Sequence, residues 1–304
     1  MAAPSDLERS IFRTLCWFSV FHIPLSAFET WKWLLKPERA YGLFEVDRAL
    51  QQSEWLARRI QNADGMFALK GVSLAVQMEE RRRRFLDASR KFRKLRRAIR
   101  LFQLIGAVEC VCAANTMAWW HTTRASDIDL FIVTQPGRMW TSRLLLVTPF
   151  LFFGHRPGQK GSDPFCFSFF STADAFQMES LKIASKDYYL AYWVKSLVPV
   201  FDGANVVLEL SALNKWADAL LPNARARAVH PLHRASLRMR LPLAPRLLEP
   251  VARALQRRRF PRVLRELANK DSRVVITDGM LKFHDNDRRG EFHRRFEDAH
   301  QRYF

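Results

Sequence analysis

Acidic side chains are in short supply in this chain. Its 304 residues hold 30 Asp and Glu against 49 Lys and Arg, a formal net charge of +19. That deficit points to polyanionic partners: nucleic acid, nucleotide phosphates or an anionic membrane surface. Cysteine is scarce too. The four, Cys16, Cys110, Cys112 and Cys166, form no disulfide framework. Cys110 and Cys112 share one face of an expected strand and read as small buried residues. Long apolar runs are missing. The most apolar segment, 144–154, is too short to span a bilayer and contains Pro149. Asp6 and Glu8 precede any apolar run, so the start does not read as a signal peptide. No membrane span and a cytoplasmic protein are expected. The chain does not lack a core: 48% of its residues are hydrophobic and 24 are Phe, enough for about two domains at this length.

Leu7, Ile11, Leu15 and Phe18 recur at helical spacing. Ile23-Pro24-Leu25 breaks the pattern. Ser26 then reads as an N-cap, with Glu29 as its capping-box partner. A third helix is expected over 44–55. Asp64-Gly65 reads as the turn of a hairpin over 60–69. Three helices and a hairpin suggest a winged-helix-like module over 1–72. Its reading helix carries Glu45 and Asp47 beside Arg48, which is poor equipment for phosphate contact, so packing or partner recognition stands beside DNA binding.

Residues 73–105 read as a basic linker helix. Between Arg81 and Arg100, eleven of twenty residues are Arg or Lys. Phe85, Phe92, Leu95, Ile99 and Phe102 form its apolar stripe. The basic face could dock nucleic acid or another polyanion, or be a solvated face. Gly106 reads as its C-cap.

A core domain is expected over 106–200. Val108–Ala114 reads as a strand, followed by Asn115-Thr116 at the start of a helix. Ser126-Asp127-Ile128-Asp129-Leu130-Phe131-Ile132-Val133 then reads as a buried strand. Strand alternation puts Asp127 and Asp129 on one face, roughly 7 Å apart. Two carboxylates that close repel unless a cation sits between them, and a hard cation such as Mg²⁺ suits their oxygens.

These residues resemble the polymerase-beta-like nucleotidyltransferase superfamily, whose signature is a Gly-Ser turn followed, about a dozen residues on, by Asp-x-Asp. Asp127 and Asp129 match the Asp-x-Asp. Asn115-Thr116 stands at the Gly-Ser turn: Asn tolerates the left-handed backbone that glycine offers, and Thr supplies the hydroxyl. The stretches 133–143 and 281–284 also look like an uncharacterised bacterial subfamily of nucleotidyltransferase-domain proteins. The resemblance implies an α+β fold, with a nucleotidyltransferase-type mixed sheet flanked by helices. It further implies Mg²⁺ on Asp127 and Asp129, and a nucleoside triphosphate held by Asn115 and Thr116, with Ser126 and Arg124 beside it. A third carboxylate is expected on the following strand, but residues 165–170 hold none. Asp163 and Asp174 flank that strand.

Residues 201–304 read as a helical extension with a short strand at 274–277. Glu179 and Asp187 read as surface charges. His284 with Asp285 and Asp287 could mimic a metal set, though an aspartate N-cap is the plainer reading. Two functions stay open: a Mg-dependent transferase moving a nucleoside monophosphate to an acceptor hydroxyl, and a catalytically inactive, regulatory or nucleic-acid-binding relative.

Overall fold

Ser5 and Glu8 start the first helix, α1 (Asp6–Ser19), by a reciprocal capping box. Ser26 and Glu29 do the same for α2 (Ala27–Lys32), as their spacing predicts. The short strand β1 (Leu25–Ser26) precedes α2, where the sequence shows only a Pro break. Next come α3 (Leu43–Gln52) and α4 (Glu54–Ala57). The hairpin β2 (Ile60–Ala63) and β3 (Met66–Leu69) turns through Asp64 and Gly65, both with positive φ. Two such residues are what a tight primed turn demands. The three strands pair antiparallel in the order β1-β3-β2. The computed structural model describes residues 3–152, 163–231 and 241–303. Residues 154–161, whose sequence reads as a basic loop with Gly and Pro, and part of 225–250, whose Arg, Leu and Pro read as partly irregular, lie outside them.

One helix, α5 (Leu74–Leu104), runs 31 residues and joins this small sheet to a larger one. It is eleven residues longer than the basic run 81–100 that marks it in the sequence. Gly106 behind it is not a left-handed cap. Its N–H donates to the Leu241 carbonyl at 3.0 Å, and a Cβ there would meet that oxygen at 2.8 Å. Close backbone approach, not φ, makes the position glycine.

The larger sheet starts with β4 (Val108–Ala113), then α6 (Asn115–Ala118), β5 (Ile128–Thr134), α7 (Met139–Phe152) and β6 (Phe165–Thr172). After these come α8 (Tyr188–Ser196), β7 (Val198–Asp202) and α9 (Val206–Leu213). Helices α10 (Glu249–Arg259) and α11 (Arg262–Leu267), strands β8 (Val274–Ile276) and β9 (Met280–Phe283), and α12 (Arg289–Tyr303) complete it. The strand order is β7-β4-β5-β6-β9-β8. Only β5 and β6 run parallel, linked by α7; the other pairs are antiparallel. The chain is therefore α+β with a mixed open sheet. Residues 201–304 do more than add helices, because β8 and β9 extend this sheet beside β6.

Two apolar layers cover the sheet. One holds Phe92, Leu95, Ile99 and Phe102 of α5 against Leu130, Ile132 and Phe170. The other holds Phe131 and Val133 against Leu190 and Trp193 of α8. A third cluster joins α1 to Tyr188, Tyr192 and Phe296. Asp187 is not a surface charge. It is 4% exposed, caps α8 by accepting from the Leu190 N–H at 2.9 Å, and pairs with Arg289 at 2.8 Å. Glu179 does lie at the surface, paired with Lys182.

Candidate functional site

Asp129 is the second residue of β5 and its side chain lies on the α8 side of the sheet. Burial raises its carboxyl to about 6, and Asp127 pushes the same way, against hydrogen bonds from Asn115 and Cys166. Asp127 sits just before the strand, half-buried, and is also raised by burial, with Lys91 opposing. Among the described residues neither carboxylate has a cationic side chain within 4.0 Å, although ion pairs occur throughout the rest of the chain.

Asn115 adopts φ 49°, the left-handed backbone expected at this turn. Its side chain bonds Asp129 and its Oδ1 accepts from the Tyr189 hydroxyl at 3.4 Å. The helix that follows is a single turn of four residues. Its dipole is accordingly small, and an anion here would depend on individual N–H groups and side chains. Asn115, Thr116, Asp129, Tyr189, Lys282 and His284 line one cavity of about 290 Å³.

The opposite wall comes from β6, β9 and the turn into α12. Cys166 pairs with Asp129 across the parallel strands. Burial, and then Asp129, push its thiol up to about 12, so it stays protonated and donates to the carboxylate. Ser168 bonds Cys166 in turn and lies 3.3 Å from His284 Nε2. Burial lowers His284 to about 3, so it is neutral at physiological pH, and its Nδ1 has no hydrogen-bond partner. Lys282 is pushed down to about 8 by burial; its Nζ donates to the Ser272 carbonyl at 2.6 Å. Arg288 also borders the cavity and donates two hydrogen bonds to the Glu291 carboxylate, at 2.7 and 2.8 Å.

Not every expected residue reaches this place. Ser126 turns back on its own loop: its Oγ accepts from the Thr123 N–H at 2.9 Å, and its carbonyl accepts from Lys91 at 2.7 Å. Arg124 is exposed and borders a separate hollow beside α5 with Arg83 and Arg90. Neither flanking acid supplies a third carboxylate. Asp163 is gripped by Arg90 through two hydrogen bonds and by Lys91 at 3.8 Å, and Arg90 lowers its pKa. Asp174 accepts from Thr172 past the far end of β6, beyond about 20 Å of strand from Cys166. Asp287 is claimed by Arg289 at 2.7 Å and by the Arg289 N–H at 3.0 Å, which suits the capping reading.

The fit to Mg²⁺ follows from the donor set. Among the described residues no three His, Cys, Asp or Glu side chains converge on one point. Two carboxylates do not make an all-protein metal cage. They do suit a cation that keeps waters and takes its remaining oxygens from substrate phosphates. The sequence marks His284 only beside Asp285 and Asp287 and gives no local hint of Tyr189 or Cys166, because α8, β6 and the end of β9 are brought together only by the fold. No protein family, curated protein or solved structure matches this chain.

Proposed function

We propose that the chain is a Mg²⁺-dependent nucleotidyltransferase, with a polymerase-beta-like core behind a winged-helix-like module. The observation that carries this reading is the two carboxylates at the start of β5, with no cationic side chain within 4.0 Å among the described residues, and a left-handed Asn115 turn that shares a cavity with Asp129. The strand sequence supports the same reading: β4 antiparallel to β5, then a helical crossover to a parallel β6. When bound, Mg²⁺ neutralises phosphate charge and orients the attacking and leaving oxygens for in-line transfer.

The chain's own residues act around that charge. Asp127 and Asp129 hold the cation. Asn115 fixes the Asp129 carboxylate by a hydrogen bond, and Tyr189 fixes Asn115. Thr116 offers a hydroxyl to the outer phosphates. The protonated Cys166 thiol donates to Asp129 rather than taking a proton, so it cannot serve as general base. The acceptor hydroxyl must then lose its proton to solvent or to a phosphate oxygen, which implies modest rates.

A second reading rests on Cys166 itself. It stands opposite Asp129, where a catalytic relative would carry its third carboxylate, and this favours a nucleotide-binding regulator without transfer chemistry. The small module supports packing over DNA reading. On α3, Glu45 is tied to Arg39 at 2.6 Å and Arg48 to Gln52 at 3.0 Å, and α1 is buried against α12. A polyanionic acceptor or regulator would instead use the outer face of α5, where Arg93, Arg97 and Arg100 are exposed.

Calorimetric titration with ATP, GTP, CTP and UTP, with and without Mg²⁺, tests the reading. Metal-dependent binding of a nucleotide, lost in Asp129→Asn, is expected. Pyrophosphate release on adding acceptor pools separates transferase from regulator. If no nucleotide binds to folded protein, both readings fail.

A further inference from the structure

A second cavity, of about 330 Å³, shares Asn115, Thr116 and Tyr189 with the first but does not include Asp129. It lies between the end of α1, the turn after α6, α8 and α12. Phe18, Phe21, Trp119, Tyr189 and Phe292 form its walls. Their faces are ordered: Tyr189 stacks on Phe292 at 5.6 Å and 16°, and Phe18 meets Trp119 edge-on at 5.1 Å. Apolar walls with few polar groups, at this volume, characterise small-molecule sites.

His121 supplies the polar group. It borders the same cavity and is 4% exposed. One ring nitrogen donates to the Phe21 carbonyl; the other, Nε2, is buried with no hydrogen-bond partner. Burial, aided by Arg84, lowers the ring to about 3, so the imidazole is neutral. With its one proton committed to Phe21, Nε2 is a pure acceptor. A buried unsatisfied acceptor is costly. A water would need two to four polar partners to fill the role, and the walls here are chiefly ring faces.

We propose that this cavity binds a flat, uncharged aromatic ring that donates a hydrogen bond to His121 Nε2. The aromatic walls flank the ring, and the acceptor selects one carrying an N–H or O–H. The three arginines lining the cavity, Arg84, Arg288 and Arg295, are engaged with Glu80 and Glu291, so the ring faces and His121 are what is left to recognise an uncharged ring. Two sources share this chemistry: the base of a nucleotide whose phosphates lie over Asn115-Thr116, or a separate phenolic or heteroaromatic acceptor. The inference goes beyond the carboxylate reading and does not depend on it.

The test uses the full chain in EDTA, where the metal reading is silent. Adenosine, guanosine and N-acetyltyrosinamide are titrated by calorimetry and by quenching of tryptophan fluorescence. Saturable one-site binding of at least one probe is expected. His121→Phe weakens it about tenfold, and His121→Gln restores part of the loss. Methylating the donor, as in N6,N6-dimethyladenosine or the O-methyl tyrosine amide, weakens binding to the native protein similarly. That arm stands even if a His121 variant fails to fold. Nucleoside binding assigns the base; tyrosinamide binding assigns the acceptor. The proposal is overturned if no probe binds saturably, or if donor methylation leaves affinity unchanged.

Discussion

At the residue scale, Asp129 shows how burial and function pull apart. Its carboxyl is raised from 3.8 to about 6. The native state therefore holds a proton that the unfolded chain releases, and stability falls as pH rises from about 4 to 6. Above pH 6 the charged group costs about 3 kcal/mol. Asp129→Asn should raise Tm by a few degrees at pH 7.5 and hardly at all at pH 4, read by calorimetric scans at both values. A cation must displace that proton, so Mg²⁺ with nucleotide should stabilise the native protein more at pH 7.5 than at pH 5. An equal shift at both pH values would remove Asp129 from the metal site. Lys91 is the opposite case. It is completely buried yet pairs with Asp87 at 3.1 Å and donates to the Thr123 and Ser126 carbonyls, holding the loop that carries Asp127. Lys91→Met leaves the Thr123 and Ser126 carbonyls without their buried donor and takes one of two cations from Asp87, and should cost on the order of 3 kcal/mol in urea unfolding.

At the element scale, α5 divides its charge. The inward cations are consumed: Arg81 binds Glu29 and the Pro24 carbonyl, Arg90 binds Asp87 and Asp163, and Lys94 donates to the Asp163 carbonyl at 2.9 Å. The composition of the run made it look like one solvated face, and periodicity alone could not say which cations turn in. Arg93, Arg97 and Arg100 lie on the exposed side. If that side meets polyanions, replacing the three by Ser should lower the slope of log K against log salt by about 3 for heparin or tRNA, with Tm unchanged within a degree. An unchanged slope rejects this face. Helix α7 shows a different non-local control. Its first N–H groups, at Trp140 and Thr141, donate to Glu249 at 2.7 and 2.9 Å from 109 and 108 residues away. No capping pattern at 135–139 could reveal that.

At the scale of the whole molecule, the boundary expected at residue 72 is a boundary of secondary structure, not of cores. Ile11, Leu15, Trp17 and Phe18 pack with Tyr188, Tyr192 and Phe296, and Trp17 stacks on Tyr192 at 5.3 Å and 10°. Removing 1–72 uncovers these rings and both walls of the aromatic cavity. The truncated chain should aggregate, and the full chain should melt in one calorimetric transition; two resolved transitions would show that the cores are separable.

The sequence by itself determined what local rules govern. The Ser26/Glu29 box, the Asp64-Gly65 hairpin, the left-handed tolerance of Asn115 and the apolar strand behind Asp127 and Asp129 all depend on neighbours within a few residues. Backbone sterics and side-chain alternation act at that range. Only the tertiary structure decided that Asp163 belongs to the basic helix, that Cys166 faces Asp129, and that Tyr189, Lys282 and His284 share a cavity with it. It also decided that His121 keeps an unused lone pair. Those outcomes follow from strand order and from which charges are sealed from water. Both are set by packing between distant segments, such as Trp17 against Phe296 across 279 positions and Asn223 donating to the Trp31 carbonyl across 192, where no sequence period reaches.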